Sequence, residues 1–209
     1  MTADDTRIVD TPDGPARVTS SPPPGIPAGL LVIGHGAGGL RWTDDVLATR
    51  DAAVAAGWVV SLVDQPWRVA GRRIGGQPAS LDRAWLAVLG ALEPDRPAGP
   101  LVVGGRSAGA RVACRTAAQV GARAVLALSF PLHPPARPER SRADELRLPA
   151  AHGIPVHVVQ GVSDAFGTPD EVRAELEPGS TVDEVPGTHS LERSAALVAA
   201  AAVARLSLA

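Results

Sequence analysis

Cysteine is all but missing from this chain: Cys114 is the single one among 209 residues. No intrachain disulfide can form, zinc sites built on paired thiolates are excluded, and a reducing compartment is the expectation. Charge of one sign is lacking too. The 20 basic and 22 acidic residues leave a formal net charge of -2, too balanced for an electrostatic grip on nucleic acid or on an anionic membrane. Neither partner is expected. The longest apolar run, Ala195 to Ala204, is bracketed by Arg193 and Arg205 and has about half of the roughly 20 residues a bilayer crossing needs. It reads as a buried C-terminal helix. Met1 to Asp10 carries acidic residues and no apolar centre of a secretory signal, so a cytoplasmic location is expected. Lysine, asparagine and tyrosine are absent, and arginine supplies the basic residues; this bias matches GC-rich coding and points to no site.

What is present is a chain with 45% apolar residues. Its length fits one domain, residues 1–209, able to bury roughly 70% of the surface of the unfolded chain. The 22 Gly and 20 Pro are spread between apolar runs rather than massed together, which predicts a globular fold rich in turns. Thr6 to Asp10 and Ala16 to Ser20 flank Pro12-Asp13-Gly14-Pro15 and predict an antiparallel hairpin. After the prolines at 22–24, strands are expected at Leu30 to Ile33, Trp58 to Val63, Leu101 to Val103, Ala124 to Leu128, Val156 to Val159 and Thr181 to Val185. Helical patterns lie near 44–56, 80–92, 108–120, 169–176 and 190–206. Continuous apolar runs suit strands covered by helices on both faces, so the prediction is an α/β fold with a doubly wound, mostly parallel sheet. Arg137 to Arg147 also holds Glu139, Asp144 and Glu145 and reads as a solvated loop and helix.

Ligands of such sheets gather beyond the carboxyl ends of the strands. After the strand at Leu101 comes Gly104-Gly105-Arg106-Ser107-Ala108-Gly109, with G-x-S-x-G at Gly105, Ser107 and Gly109. A serine held on a sharp strand-to-helix turn needs small neighbours, and the expected helix follows directly. The pentapeptide alone is weak; its context is stronger. A serine hydroxyl is a poor nucleophile until a histidine takes its proton and a carboxylate orients that histidine. Asp164 and His189 each follow a later strand, in the order Ser, Asp, His expected of α/β-hydrolases. The other histidines are worse placed. His157 lies inside a strand, His152 precedes one, and His35 and His133 precede Asp164. Among other carboxylates, Asp183 and Glu184 fall within the last strand and Asp170 opens a helix.

A tetrahedral oxyanion needs two preorganised N–H donors. Ala108, after the serine, is one candidate; Ala37, within Gly34-His35-Gly36-Ala37-Gly38-Gly39, is the other. The same loop spells G-x-G-x-x-G at Gly34, Gly36 and Gly39, with Asp64 beyond it, so a dinucleotide site is a competing reading. In that motif the helix starts within the glycines. Here Thr43-Asp44-Asp45 looks like a later helix start. No Gly-Lys-Ser/Thr completes a P-loop.

These motifs resemble the small α/β-hydrolases of the dienelactone-hydrolase-like kind from about Leu30 to the C-terminus. The resemblance rests on Gly34-His35-Gly36-Ala37-Gly38, Gly71-Arg72-Arg73, Gly104 to Arg111, Phe130 to Pro135, Gln160-Gly161 with Asp164 to Gly167, and His189-Ser190. It implies an α/β-hydrolase sheet, an esterase-like triad of Ser107, Asp164 and His189, and no cofactor. The substrate class expected is a small ester or thioester, with acyl transfer using the same parts. A catalytically idle binding or scaffold domain on the same fold is the alternative. Pro131 to Gly153 has room for one short helix, not a multi-helix cap, so a shallow, open site is expected. Arg72, Arg73 and Arg106 are candidates to meet an anionic substrate group, although an arginine beside the serine turn also suits a structural carboxylate. His133 suits either the pocket wall or the fixing of its own loop. Cys114 reads as a small buried apolar residue, and neither a metal site nor an oligomeric state is indicated.

Overall fold

A computed structural model of the chain describes residues 4–38 and 40–208. Gly39, the last glycine of the competing dinucleotide motif, lies outside the described residues. Eight strands, β1 (Asp5–Val9), β2 (Ala16–Ser21), β3 (Gly29–Gly34), β4 (Trp58–Asp64), β5 (Leu101–Arg106), β6 (Ala124–Leu128), β7 (Val156–Gly161) and β8 (Thr181–Val185), form one sheet. Their spatial order is β1-β2-β4-β3-β5-β6-β7-β8. β1 and β2 form the expected hairpin, and β2 joins β4 antiparallel; every later pairing is parallel.

The apolar runs of the inner strands β3 to β7 are continuous because each serves two helix layers, its side chains alternating between faces. Leu30 and Val32 of β3 pack on one side with Trp85, Val88, Ala110 and Ala113. Leu31 and Ile33 pack on the other with Val46, Ala53, Val198 and Ala202. The first layer thus contains α3 (Pro78–Leu92) and α4 (Ala108–Thr116); the second contains α1 (Asp44–Ala55) and α7 (Ala195–Leu206). Cys114, 1% exposed, belongs to the first layer, where burial pushes its thiol above the ordinary range. α7 begins later than the expected 190, after a 3₁₀ turn at Glu192–Ser194. Among the described residues no helix is long and apolar enough to cross a membrane.

Among the described residues there are also three short α-helices, α2 (Pro66–Val69), α5 (Ala143–Arg147) and α6 (Pro169–Arg173), and 3₁₀ turns at Glu93–Asp95 and Ala150–His152. α2, too short to show a helical period, was not expected. α6 has a local cause in a capping box: the Thr168 side chain accepts from the Glu171 amide while Glu171 accepts from the Thr168 amide. α5 occupies the arginine-rich stretch but corrects its description as merely solvated. Glu145 accepts from Arg111 at 2.6 and 2.7 Å and from Arg115 at 2.8 Å. Arg115 also grips Asp82 of α3 at 2.6 and 2.8 Å. Burial alone would raise the Glu145 carboxyl; the two guanidiniums outweigh it and hold Glu145 below the usual carboxylate range. The network ties α3, α4 and α5 together beneath the carboxyl end of the sheet.

Candidate active site

Ser107 occupies the single residue between β5 and α4 at φ 54°. This left-handed backbone costs energy for a residue with a Cβ and persists only because the surroundings fix it. Its amide donates to the Leu128 carbonyl at 2.9 Å. Two glycines are obligatory for the turn. A Cβ on Gly105 would stand 2.4 Å from the Gly109 carbonyl carbon, and one on Gly109 would stand 2.4 Å from the Gly34 carbonyl oxygen. We predict that Gly109→Ala lowers stability by about 1–3 kcal/mol, an overpacking cost, read as a drop of several degrees in thermal midpoint; an unchanged midpoint would remove the steric argument.

The Ser107 Oγ lies 2.9 Å from His189 Nε2, and His189 Nδ1 lies 2.8 Å from Asp164 Oδ2. Asp164 is buried at 1% exposure, while Ser107 and His189 are half-buried. Three donors converge on the carboxylate: His189 and the Gln160 amide (3.0 Å) on Oδ2, and the Phe166 backbone (2.8 Å) on Oδ1. Gln160, fully buried, also donates to the Phe130 and Gly167 carbonyls and accepts from the Phe130 amide. It therefore anchors the acid to the neighbouring loop. The Phe166 ring lies 4.2 Å, centroid to centroid, from the His189 imidazole at 31°. Gln160 and Phe166 were legible only as parts of the family motif; no roles were assigned to them. The loops of the acid and the histidine are laced by Val162 donating to Val185 at 3.0 Å and Ser163 donating to Gly187 at 2.9 Å.

On the other side of the serine, Ala37 and Ala108 line one small cavity of about 20 Å³, together with Trp67, Leu81, Trp85 and Val112. A cavity of about 10–15 Å³ holds one water, so this one has room for a group of about methyl size. A wider cavity, about 770 Å³, lies instead beside Arg123, Ile154, Pro155 and Ser180, which immediately precede β6, β7 and β8. It is thus at the amino ends of the strands, away from the serine turn.

A family model for an alpha/beta hydrolase domain matches residues 27–198. The chain belongs to the alpha/beta hydrolase family. No curated protein matches the sequence. Among solved structures, this hydrolase is similar to an alpha-beta serine hydrolase homologue from Coxiella burnetii, with 18% identity, TM-score 0.79 and 99% of each chain covered. It is similar to an alpha/beta serine hydrolase without a lid from Xanthomonas campestris, with 20% identity, TM-score 0.74 and coverage of 99% and 96%. A dienelactone hydrolase from Anabaena variabilis aligns at 19% identity and TM-score 0.74, covering 97% of this chain and 94% of its own. At these identities the likeness is one of fold.

The remaining candidates of this alpha/beta hydrolase are dispersed. Arg106 donates to the His189 carbonyl at 2.8 Å, a backbone partner instead of the structural carboxylate the sequence suggested. Arg72 and Arg73 are exposed on the loop after α2, with no guanidinium partner among the described residues. The His133 ring is turned to its own loop and α6, with Nδ1 3.0 Å from the Pro134 carbonyl and Nε2 3.6 Å from Glu171. That arrangement favours the loop-fixing alternative. α1 starts at Asp44, and among the described residues no helix opens at Gly34 to Gly38 as a pyrophosphate site requires. Among the described residues no group of three or more His, Cys, Asp or Glu is placed to hold a metal ion.

His35 is buried, with Nε2 3.0 Å from the Gln65 amide and Nδ1 2.8 Å from the Gly36 carbonyl. Burial foremost, and the positive charge of Arg68, push its pKa from 6.5 down to about 4. The folded state therefore binds this proton more weakly than the unfolded chain does. The contribution is fully present above pH 6.5 and is lost as the pH falls towards 4, amounting to about 3 kcal/mol in all. Urea midpoints taken across this window are expected to fall more steeply for the wild type than for His35→Gln; parallel curves would contradict it.

Proposed function

We propose that this chain is a serine hydrolase of small carboxylic esters or thioesters, with a preference for short acyl groups. The observation that carries the reading is the unbroken series Ser107 Oγ, His189, Asp164 at 2.9 and 2.8 Å. In the proposed reaction His189 Nε2 removes the Ser107 proton as Oγ forms a bond to the substrate carbonyl carbon. Asp164 keeps the other imidazole proton on Nδ1 and steadies the imidazolium. The amides of Ala37 and Ala108 receive the oxyanion. Collapse breaks the bond to the alcohol or thiol, which leaves with the proton from His189. A water, deprotonated by the same nitrogen, then releases the acid and restores Ser107; another nucleophile in place of water gives acyl transfer.

The binding-domain alternative requires none of this alignment, and the naming of the lidless neighbour as a serine hydrolase agrees with the catalytic reading. The acyl preference follows from the cavity of about 20 Å³ beside Ala37 and Ala108. A methyl group fits there, and a longer chain must displace Leu81 or Val112 or leave the cavity empty. A mismatch of one methylene in an apolar pocket changes kcat/KM by roughly 10- to 200-fold, and a chain that leaves the cavity empty forfeits this once. The test is a chain-length series of chromogenic esters. The expected result is an acetate ester turned over about 100-fold faster, in kcat/KM, than the octanoate; an octanoate preference would overturn the acyl assignment, and no hydrolysis of any ester would overturn the reaction.

A further inference from the structure

Phe166 follows the acid by two residues, and its backbone is held at both ends. Its amide donates to Asp164 Oδ1 at 2.8 Å, closing an Asx turn, and its carbonyl accepts from the His133 amide at 3.0 Å. The next carbonyl, that of Gly167, accepts from the buried Gln160 side chain at 2.7 Å. Gly167 itself, at φ 138°, has no room for a side chain, since a Cβ there would stand 2.8 Å from Leu132 Cβ. The half-buried ring is thereby set against the imidazole of His189, with centroids 4.2 Å apart and planes 31° apart. Rings side by side in one plane cannot bring their centroids so near, so the imidazole meets the phenyl face. That face carries the negative lobe of the ring quadrupole and attracts a cation lying within about 6 Å of the centroid. A neutral imidazole gains no such ionic attraction. The difference favours the form of His189 that has taken up the serine proton. The other charges around His189 act in both directions. Asp164 at Nδ1 favours the imidazolium; Arg106, on the serine turn, donates to the His189 carbonyl at 2.8 Å and opposes it. On the following 3₁₀ turn Glu192 is paired with Arg41 from the segment before α1, and Arg193 is exposed. The phenyl face supports Asp164 without bringing a competing hydrogen-bond acceptor to the imidazole.

We infer that Phe166 is a positioning residue for the general base: its ring face, fixed by the Asx turn, holds the His189 imidazole between Asp164 and Ser107 and stabilises the imidazolium that forms as Ser107 attacks. This rests on the serine-hydrolase reading, in which His189 takes the Ser107 proton. The phenyl ring makes and breaks no bond; it acts through the imidazole. Its effect therefore falls on the proton-transfer step and on the pH profile, while substrate binding is left alone.

The test varies the charge on the ring face at nearly constant shape. Mono-, tri- and pentafluorophenylalanine are placed at position 166 by stop-codon suppression, which leaves Phe130, the other phenylalanine of the chain, unchanged. Fluorine withdraws electron density from the face, and the pentafluoro ring reverses its sign. The measurements are kcat, KM and the pH dependence of kcat/KM for an acetate ester, with thermal midpoint as the packing control. Along the series kcat is expected to fall stepwise, by roughly 3- to 30-fold at the pentafluoro ring, with KM little changed. The acid limb of kcat/KM is expected to move to lower pH by roughly 0.5 unit or more, because a less stabilised imidazolium gives up its proton more readily. Phe166→Leu, apolar but without a π face, is expected to shift the limb in the same direction, and Phe166→Tyr, which keeps a face, to stay within about threefold of wild type in kcat. A kcat and an acid limb that do not change along the fluorine series would overturn the inference, as would losses that follow thermal midpoint while the limb stays fixed. The underlying reading has its own control. Wild type that hydrolyses no ester would end the serine-hydrolase proposal, whereas an active wild type with a flat fluorine series would end the Phe166 role alone.

Discussion

Ser107→Ala is expected to lower kcat/KM for an acetate ester by roughly 10⁴- to 10⁶-fold while leaving the fold in place. The Oγ makes its side-chain hydrogen bond to His189 and serves no described packing or capping contact. Its backbone, at φ 54°, is held by the Leu128 carbonyl and by the close approach of Gly105 and Gly109. An alanine at 107 inherits that conformation, and any residual rate comes from the two amides and from binding. Steady-state kinetics with circular dichroism as the folding control check this. A variant within tenfold of wild type would show that the hydroxyl does not form the acyl-enzyme.

Asp164→Asn is expected to cost about 10⁴-fold in kcat, by comparison with the same exchange in other Ser-His-Asp enzymes. The geometry explains why so small a change acts so strongly. Donors from His189 and Gln160 meet Oδ2, and the Phe166 amide meets Oδ1. A carboxylate accepts on both atoms; a carboxamide does not. With its NH₂ at the first position, asparagine opposes two donors and drives His189 to the tautomer that carries its proton on Nε2, facing the serine. Turned over, it opposes the Phe166 amide. Crystal structures of the variant, with kinetics at constant pH, test this account. A fully active asparagine variant with the same contacts would contradict the tautomer argument.

The inner strands were legible because a parallel strand buried on both faces shows an unbroken apolar run, as Ala124–Leu128 does; the edge strand Thr181–Val185, with Asp183 and Glu184 inside it, also agrees with expectation at both ends. Helix limits were less legible. The α4 pattern was expected to continue to 120, but the helix ends at Thr116 and the chain reverses through turns to Gly121 at φ 64°. That end is closed locally: with Gly121 left-handed, the Ala122 amide donates to the Ala117 carbonyl at 3.0 Å and the Gly121 amide to the Ala118 carbonyl at 3.3 Å. At the site, Ser107, Asp164 and His189 could be named because each follows a strand in a fixed order. Gln160 could not, because a glutamine at a strand end carries no periodicity and gains its meaning from partners on two loops. His35, read as one of the structural or surface histidines, gains its partners, the Gln65 amide and the Gly36 carbonyl, only in three dimensions. Arg106 shows the converse, an arginine that sequence logic paired with a carboxylate and that the fold turns to the His189 carbonyl.

The most direct test of the central claim is covalent. The native protein is incubated with a fluorophosphonate probe, digested, and mapped by mass spectrometry, alongside His189→Ala and urea-unfolded controls. The account predicts a single adduct on the peptide carrying Ser107 in the native wild type, strongly slowed in His189→Ala and absent from unfolded chain. Labelling on another residue, or no labelling of native protein under conditions where other serine hydrolases react, would contradict it.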